Sequence, residues 1–150
     1  MAAVTPVKNK TNVWTWLRQI RPRMLLAIPF IYGMTVVLLL LDLTISLYQA
    51  VCFPLYGIAK VHRSEYMSID RSLLPYLNII EKVNCVYCSY ANGIFAYSRE
   101  IGARTEQFFC PIKHEHQEPG VHSHYSRFLK YGDSTNFRAR SEKLRREISD

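Results

Sequence analysis

Cys85, Cys88, Cys110 and His114 are the side chains whose types and spacing could do chemistry in this chain. Cys85 and Cys88 form a C-x2-C, and 21 intervening residues later Cys110-Pro111-Ile112-Lys113-His114 supplies a C-x3-H. Three thiolates and an imidazole make a complete tetrahedral set for Zn2+. The same donors suit iron, either as a mononuclear centre or as an iron–sulfur cluster with one histidine ligand. A filled shell is the mark of a structural site, so zinc knitting a small domain is the first expectation and an iron-containing redox or metalloenzyme component is the alternative. The plainer reading is that these are small buried apolar residues, as free cysteines often are.

Neighbouring residues add weaker signals. Glu81 and Glu106 each lie one turn before a cysteine, where they could hydrogen-bond a ligand or simply be solvated helix residues; solvation is preferred. His114, His116, His122 and His124 form two H-x-H pairs around Pro119-Gly120, which could hold a second metal but read more simply as a polar loop around a Pro-Gly turn. No βαβ pattern surrounds Cys85-Val86-Tyr87-Cys88, which disfavours thioredoxin-like exchange. The C-x3-H echoes RNA-binding CCCH fingers, yet the earlier spacings do not fit, and nucleic acid is the weaker partner class. The sequence contains no Gly-rich phosphate loop, no Ser-centred nucleophile elbow and no H-E-x-x-H. No catalytic residue is assigned from it.

The elements that must position this motif begin with a membrane segment. Met24 to Leu41 is 18 residues without a charge, long enough to cross a bilayer. Lys8, Lys10, Arg18, Arg21 and Arg23 precede it with no acid, and Trp14 and Trp16 beside them have the composition of a membrane–water interface. Residues 1–12 are expected to be poorly ordered. Pro29 is tolerable near the start of a transmembrane helix, and Thr35 can hydrogen-bond its own backbone. Leu38-Leu39-Leu40-Leu41-Asp42 offers no small-residue cleavage site, so an uncleaved anchor is expected rather than a signal peptide. The apolar character continues to Ile58 with Asp42 as its one charge. A single helix from about residue 24 to 52, an anchor followed by an amphipathic interfacial segment, or a hairpin would each fit; the hairpin ranks last because no Gly or Pro stands near Asp42.

Removing the anchor leaves roughly 90 residues, a size at which a metal or disulfide usually supplements the core. The net charge of +7 is concentrated at the two ends, which points to an anionic membrane surface. Ser68-Ile69-Asp70-Arg71 can start a helix whose apolar face is Leu73, Leu74, Leu77, Ile80, Val83 and Val86, with Pro75 in its first turn. Tyr90-Ala91-Asn92-Gly93 reads as its stop. Ile94 to Phe109 reads as a second helix, with Glu100 and Arg104 ordered for an i,i+4 pair. The second helix would be about 24 Å long. Cys110 would then return to Cys85 and Cys88 only if residues 89–93 ran extended back along it, or if Gly102 broke it in two.

The runs N-C-V-Y-C-S-Y-A-N-G, A-R-T-E-Q-F-F-C-P-I-K-H and Tyr125-x2-Phe128-x2-Tyr131-Gly132-Asp133, together with S-L-Y-Q-A-V-C-F-P-L-Y-G, resemble a family of small uncharacterised bacterial membrane-associated proteins over about residues 45–138. The resemblance implies a bacterial inner-membrane setting and one unit of Cys85, Cys88, Cys110 and His114. It implies no substrate and no reaction.

The expected architecture is therefore mainly α. It comprises a basic segment at 1–23, an anchor with a membrane-proximal amphipathic segment at 24–59, a small helical Cys3His domain at 60–131 and a charged tail at 132–150 that is a surface helix or disordered. The positive-inside rule places residues 1–23 in the cytoplasm, and a single span would then put the thiols on the oxidising side. A reduced metal site prefers the cytoplasm, and the soluble domain is read as lying there. The expected partners are the lipid bilayer and other membrane-protein subunits, for which the chain is an accessory or assembly subunit.

Overall fold

The computed structural model describes residues 14, 15, 18, 21–116 and 119–149. Residues 1–13 and Trp16, to which part of the interfacial reading applies, lie outside the described residues. The architecture is mainly helical: α1 spans Pro22–Tyr56, α2 Ile79–Phe109 and α3 Phe137–Arg146, with short 3-10 turns at Arg63–Glu65, Asp70–Leu73 and Ser123–Arg127. Only isolated bridges, Ile58 with Ser149 and Ile112 with Leu129, have strand-type pairing among the described residues.

The 35 residues of α1 make one continuous helix, about 52 Å long at 1.5 Å per residue. Residues 43–56 thus continue the same helix and are not a separate element, because nothing between Asp42 and Phe53 breaks the helical pattern. Thr35 Oγ1 is buried without a hydrogen-bond partner; the back-bonding expected of it is made by Thr44 Oγ1, which donates to the Leu41 carbonyl at 3.1 Å.

Compactness divides the chain into two units, one of residues 1–40 and 64–94, the other of residues 41–63 and 95–150. Each long helix gives its first part to the first unit and its second part to the other.

In the first unit, α2 starts at Ile79 and not near residue 70. The reason is a capping box: Asn78 Oδ1 accepts from the Glu81 N–H at 2.9 Å, and Glu81 Oε2 accepts from the Asn78 N–H at 2.8 Å. Pro75 lies before the helix, outside its first turn. Asn92-Gly93 does not stop α2. Asn92 Nδ2 donates back to the Cys88 carbonyl at 2.8 Å, and Gly93 has another use. A Cβ there would lie 2.6 Å from Met67 Sδ and 2.7 Å from the Tyr66 carbonyl oxygen, so the glycine lets the preceding loop lie against the helix. Tyr87 donates its hydroxyl to the Ile31 carbonyl at 3.0 Å, and Tyr32 donates to Asn84 Oδ1 at 3.2 Å. These contacts tie the first turns of α2 to the side of α1.

The second unit holds most of the buried apolar side chains, including Phe53, Ile58, Tyr97, Ile101, Phe128 and Leu144. Phe53 and Ile101 are fully buried. Backbone hydrogen bonds from Ala59 to Ile148 at 2.8 Å, and from Lys113 to Leu129 at 2.7 Å, fasten the loops around the second half of α2. Gly120 and Gly132 turn the chain at φ 76° and 75°, and the Pro119-Gly120 turn is the one read from the sequence. The tail forms helix α3, with Leu144 and Ser141 buried and Arg145 donating inward to the Phe108 carbonyl at 2.7 Å.

Candidate functional site

The structure does not gather the four expected ligands. Cys85 and Cys88 sit one turn apart within α2, whereas Cys110 follows its last residue. The helix runs unbroken through residues 89–93 and Gly102, so neither of the two ways of closing the site, an extended return or a break at Gly102, is present. The four cysteines are free, with Cys88 and Cys110 exposed. The His114 ring stacks on Tyr125 at 6.2 Å, and its backbone N–H donates to the Tyr125 hydroxyl at 2.7 Å. Among the described residues no three His, Cys, Asp or Glu side chains come together as a metal-holding group.

What the second unit gathers instead is a polar network on one face of α2. Glu100, Arg104 and Gln107 recur at helical spacing, and each reaches a different segment of the chain. Arg104 donates to Glu100 Oε1 at 2.9 Å, the i,i+4 pair expected from the sequence, and also to the Ala59 carbonyl at 2.6 Å. Gln107, with no exposed surface, donates to the Leu144 carbonyl at 2.6 Å. That bond orients its amide so that Oε1 faces His124 Nδ1 at 2.6 Å, while His124 Nε2 lies 3.0 Å from Glu100 Oε1. Both ring nitrogens of His124 thus lie within hydrogen-bond distance of side-chain oxygens. Arg127 Nη2 also lies 3.0 Å from Nδ1, and Arg127 Nη1 pairs with Glu147 at 3.1 Å. Burial works to raise the Glu100 carboxyl, but the hydrogen bonds and charges of Arg104 and His124 outweigh it and hold the group below its ordinary value.

A second cluster closes the loop after α1. Gln49 donates to the Val61 carbonyl at 3.2 Å and to the Tyr97 hydroxyl at 3.1 Å, and accepts from the Val61 N–H at 2.8 Å. Nearby in sequence, Asp42 pairs with Arg63 at 2.6 Å. Glu106, weighed as a partner of Cys110, is spent on His122 at 2.8 Å. Arg99 is bonded to the carbonyls of Gly120 and Val121, pinning the histidine loop.

Chemically, these groups hold segments together. A general base needs a lone pair that substrate can reach, whereas both nitrogens of His124 face protein acceptors and its side chain is one-tenth exposed. Sequence reading found the Glu100–Arg104 pair but missed Gln49, Gln107 and His124 as a group, because their partners are 12 to 48 residues away. The Asn78-x2-Glu81 capping box was open to recognition as a motif.

The other prominent surface is apolar. Leu26, Phe30, Val36, Val37, Leu39 and Leu40 are exposed along the first part of α1, and only 6% of its most apolar window is buried. Further along the helix Leu43, Leu47, Val51 and Leu55 continue as an exposed stripe at four-residue spacing. By length and composition α1 is a candidate membrane span. Comparison with family models, with curated proteins and with solved structures finds no match.

Proposed function

We propose that this chain is a membrane-anchored accessory or assembly subunit of a larger membrane complex, and that the unit of residues 41–63 and 95–150 is its water-facing docking domain. The observation that carries this reading is the surface of α1. A helix mostly exposed and charge-free from Met24 to Leu41 has no stable place in water, since exposed apolar area costs about 25 cal/mol per Å2, whereas a bilayer requires such a surface. The exposed stripe of Leu43, Leu47, Val51 and Leu55 extends beyond the length needed to cross the hydrocarbon, and it offers an apolar face to a neighbouring subunit. The polar network contributes rigidity and leaves no free acid–base pair, which favours a docking role over catalysis. Zinc on Cys85, Cys88, Cys110 and His114 is not part of this reading.

Photocrosslinking in intact membranes tests the docking role. A photoreactive residue replacing Leu47, within the exposed stripe, should give one dominant protein adduct, and the same residue at exposed Arg138 should not. Adducts only with lipid at Leu47 would contradict the subunit role while leaving the anchor intact.

A further inference from the structure

The first unit has an apolar surface that α1 does not account for. Between Arg71 and Glu81 runs Ser72-Leu73-Leu74-Pro75-Tyr76-Leu77-Asn78-Ile79-Ile80, nine residues without a charge. In a water-facing loop such residues would turn inward. Here Leu73 is 80% exposed and Ile79 63%, and Ile69, Tyr76 and Val83 are also exposed.

The backbone of this loop is suited to a medium that offers few hydrogen bonds. The Leu74 N–H donates to Arg71 and the Leu77 N–H to Leu74. Pro75 has no N–H, and the Asn78 N–H is taken by Glu81. Ser72 turns its hydroxyl onto the Ile69 carbonyl at 2.9 Å. These bonds satisfy several of the segment's polar groups internally, as entry into the lipid boundary favours, while Asn78 Nδ2 is buried without a partner.

We propose that residues 72–80 form a second membrane contact, with Leu73, Tyr76 and Ile79 inserted into the interfacial layer of the bilayer beside α1. The proposal rests on the anchor reading above. Continuity with the anchor identifies the occupant as lipid. Within this unit the Tyr87–Ile31 and Tyr32–Asn84 hydrogen bonds hold the start of α2 against the charge-free stretch of α1, where Leu26 and Phe30 are exposed. The loop's ends also carry the residues of an interface. Arg71 and Lys82 flank it, each able to reach headgroups with its long stem in the apolar layer, and Tyr76 is an interfacial aromatic. A short apolar loop with a cation near each end, Arg71 directly and Lys82 just beyond Glu81, has the composition of a segment that lies in the membrane surface without crossing it.

Tryptophan quenching in reconstituted vesicles tests the insertion. Trp14 and Trp16 are replaced by Phe, and a single tryptophan is placed in the full chain by Leu73→Trp, Ile79→Trp, Leu26→Trp or Arg138→Trp. Leu73 and Ile79 are exposed enough to accept the larger ring, and the two variants check each other. In phosphatidylcholine–phosphatidylglycerol vesicles containing lipids brominated on the acyl chains, Leu73→Trp and Ile79→Trp should be quenched to at least half the extent of Leu26→Trp. Aqueous iodide should quench Arg138→Trp instead. Iodide quenching of both loop variants, with Leu26→Trp still quenched by lipid, would overturn the loop insertion and leave the anchor standing. Shielding of the loop variants from both quenchers would also overturn it, since protein would then cover the loop. An unquenched Leu26→Trp in brominated vesicles would defeat the anchor reading itself.

Discussion

The two units of this chain share both long helices and differ in what those helices face. In residues 41–63 and 95–150, many side chains are buried and a set of polar groups pairs across the sequence: Gln49 with Val61 and Tyr97, Gln107 with Leu144 and His124, Arg104 with Glu100 and Ala59. In residues 1–40 and 64–94, few side chains are buried, and the large apolar ones, from Leu26 and Phe30 to Leu73 and Ile79, are exposed. On the proposed reading, the same helices serve two solvents. A core that must exclude water needs close packing and satisfied polar atoms, whereas a surface meant for lipid needs neither and keeps its apolar side chains outside.

The contrast predicts opposite responses to one substitution. Phe53→Ala removes a fully buried ring, and it should destabilise the second unit by about 3–5 kcal/mol. Phe30→Ala acts on a side chain 78% exposed, and it should change folding stability by less than about 0.5 kcal/mol. Thermal unfolding in mild detergent, followed by circular dichroism, measures both. Equal losses would break the comparison.

Gly93 sharpens it from the other side, as a point where the first unit does pack closely. Gly93→Ala should cost about 1–3 kcal/mol, since the Tyr66 carbonyl is backbone and cannot rotate away. The damage should be local. Faster proteolysis within residues 64–78, with the second unit still resistant, is the expected pattern.

These positions also show how far the sequence could be read. The long apolar helix was legible because eighteen uncharged residues need no tertiary information to interpret, and the Glu100–Arg104 pair because its partners are one turn apart. Gly93 was misread as a helix stop. Locally, Asn-Gly favours a turn, but its role depends on Met67 and Tyr66, which arrive from a distant loop. The same limit applied to the metal motif: C-x2-C and C-x3-H are local patterns, and whether they meet depends on the continuity of α2. His124 looked like a loop histidine because Gln107 and Glu100 precede it by 17 and 24 residues.

A smaller effect concerns acid. The Glu100 carboxyl is held below its unfolded value near 4.5, so its stabilising contribution is present above that pH and is lost as the pH falls through the lower folded value. Glu100→Gln should reduce stability at neutral pH and flatten its decline below about pH 4.5. Melting temperatures of the two proteins across pH 3 to 7 test this, and parallel curves would count against the pairing with Arg104 and His124.

The central claim, that the first part of α1 lies in lipid, is tested most directly by extracting membranes that contain the full chain. Alkaline carbonate and high salt strip proteins held by charge, whereas a spanning helix stays with the bilayer. The account predicts that the chain remains in the membrane pellet after both treatments. Its release into the soluble fraction by either one would contradict the account.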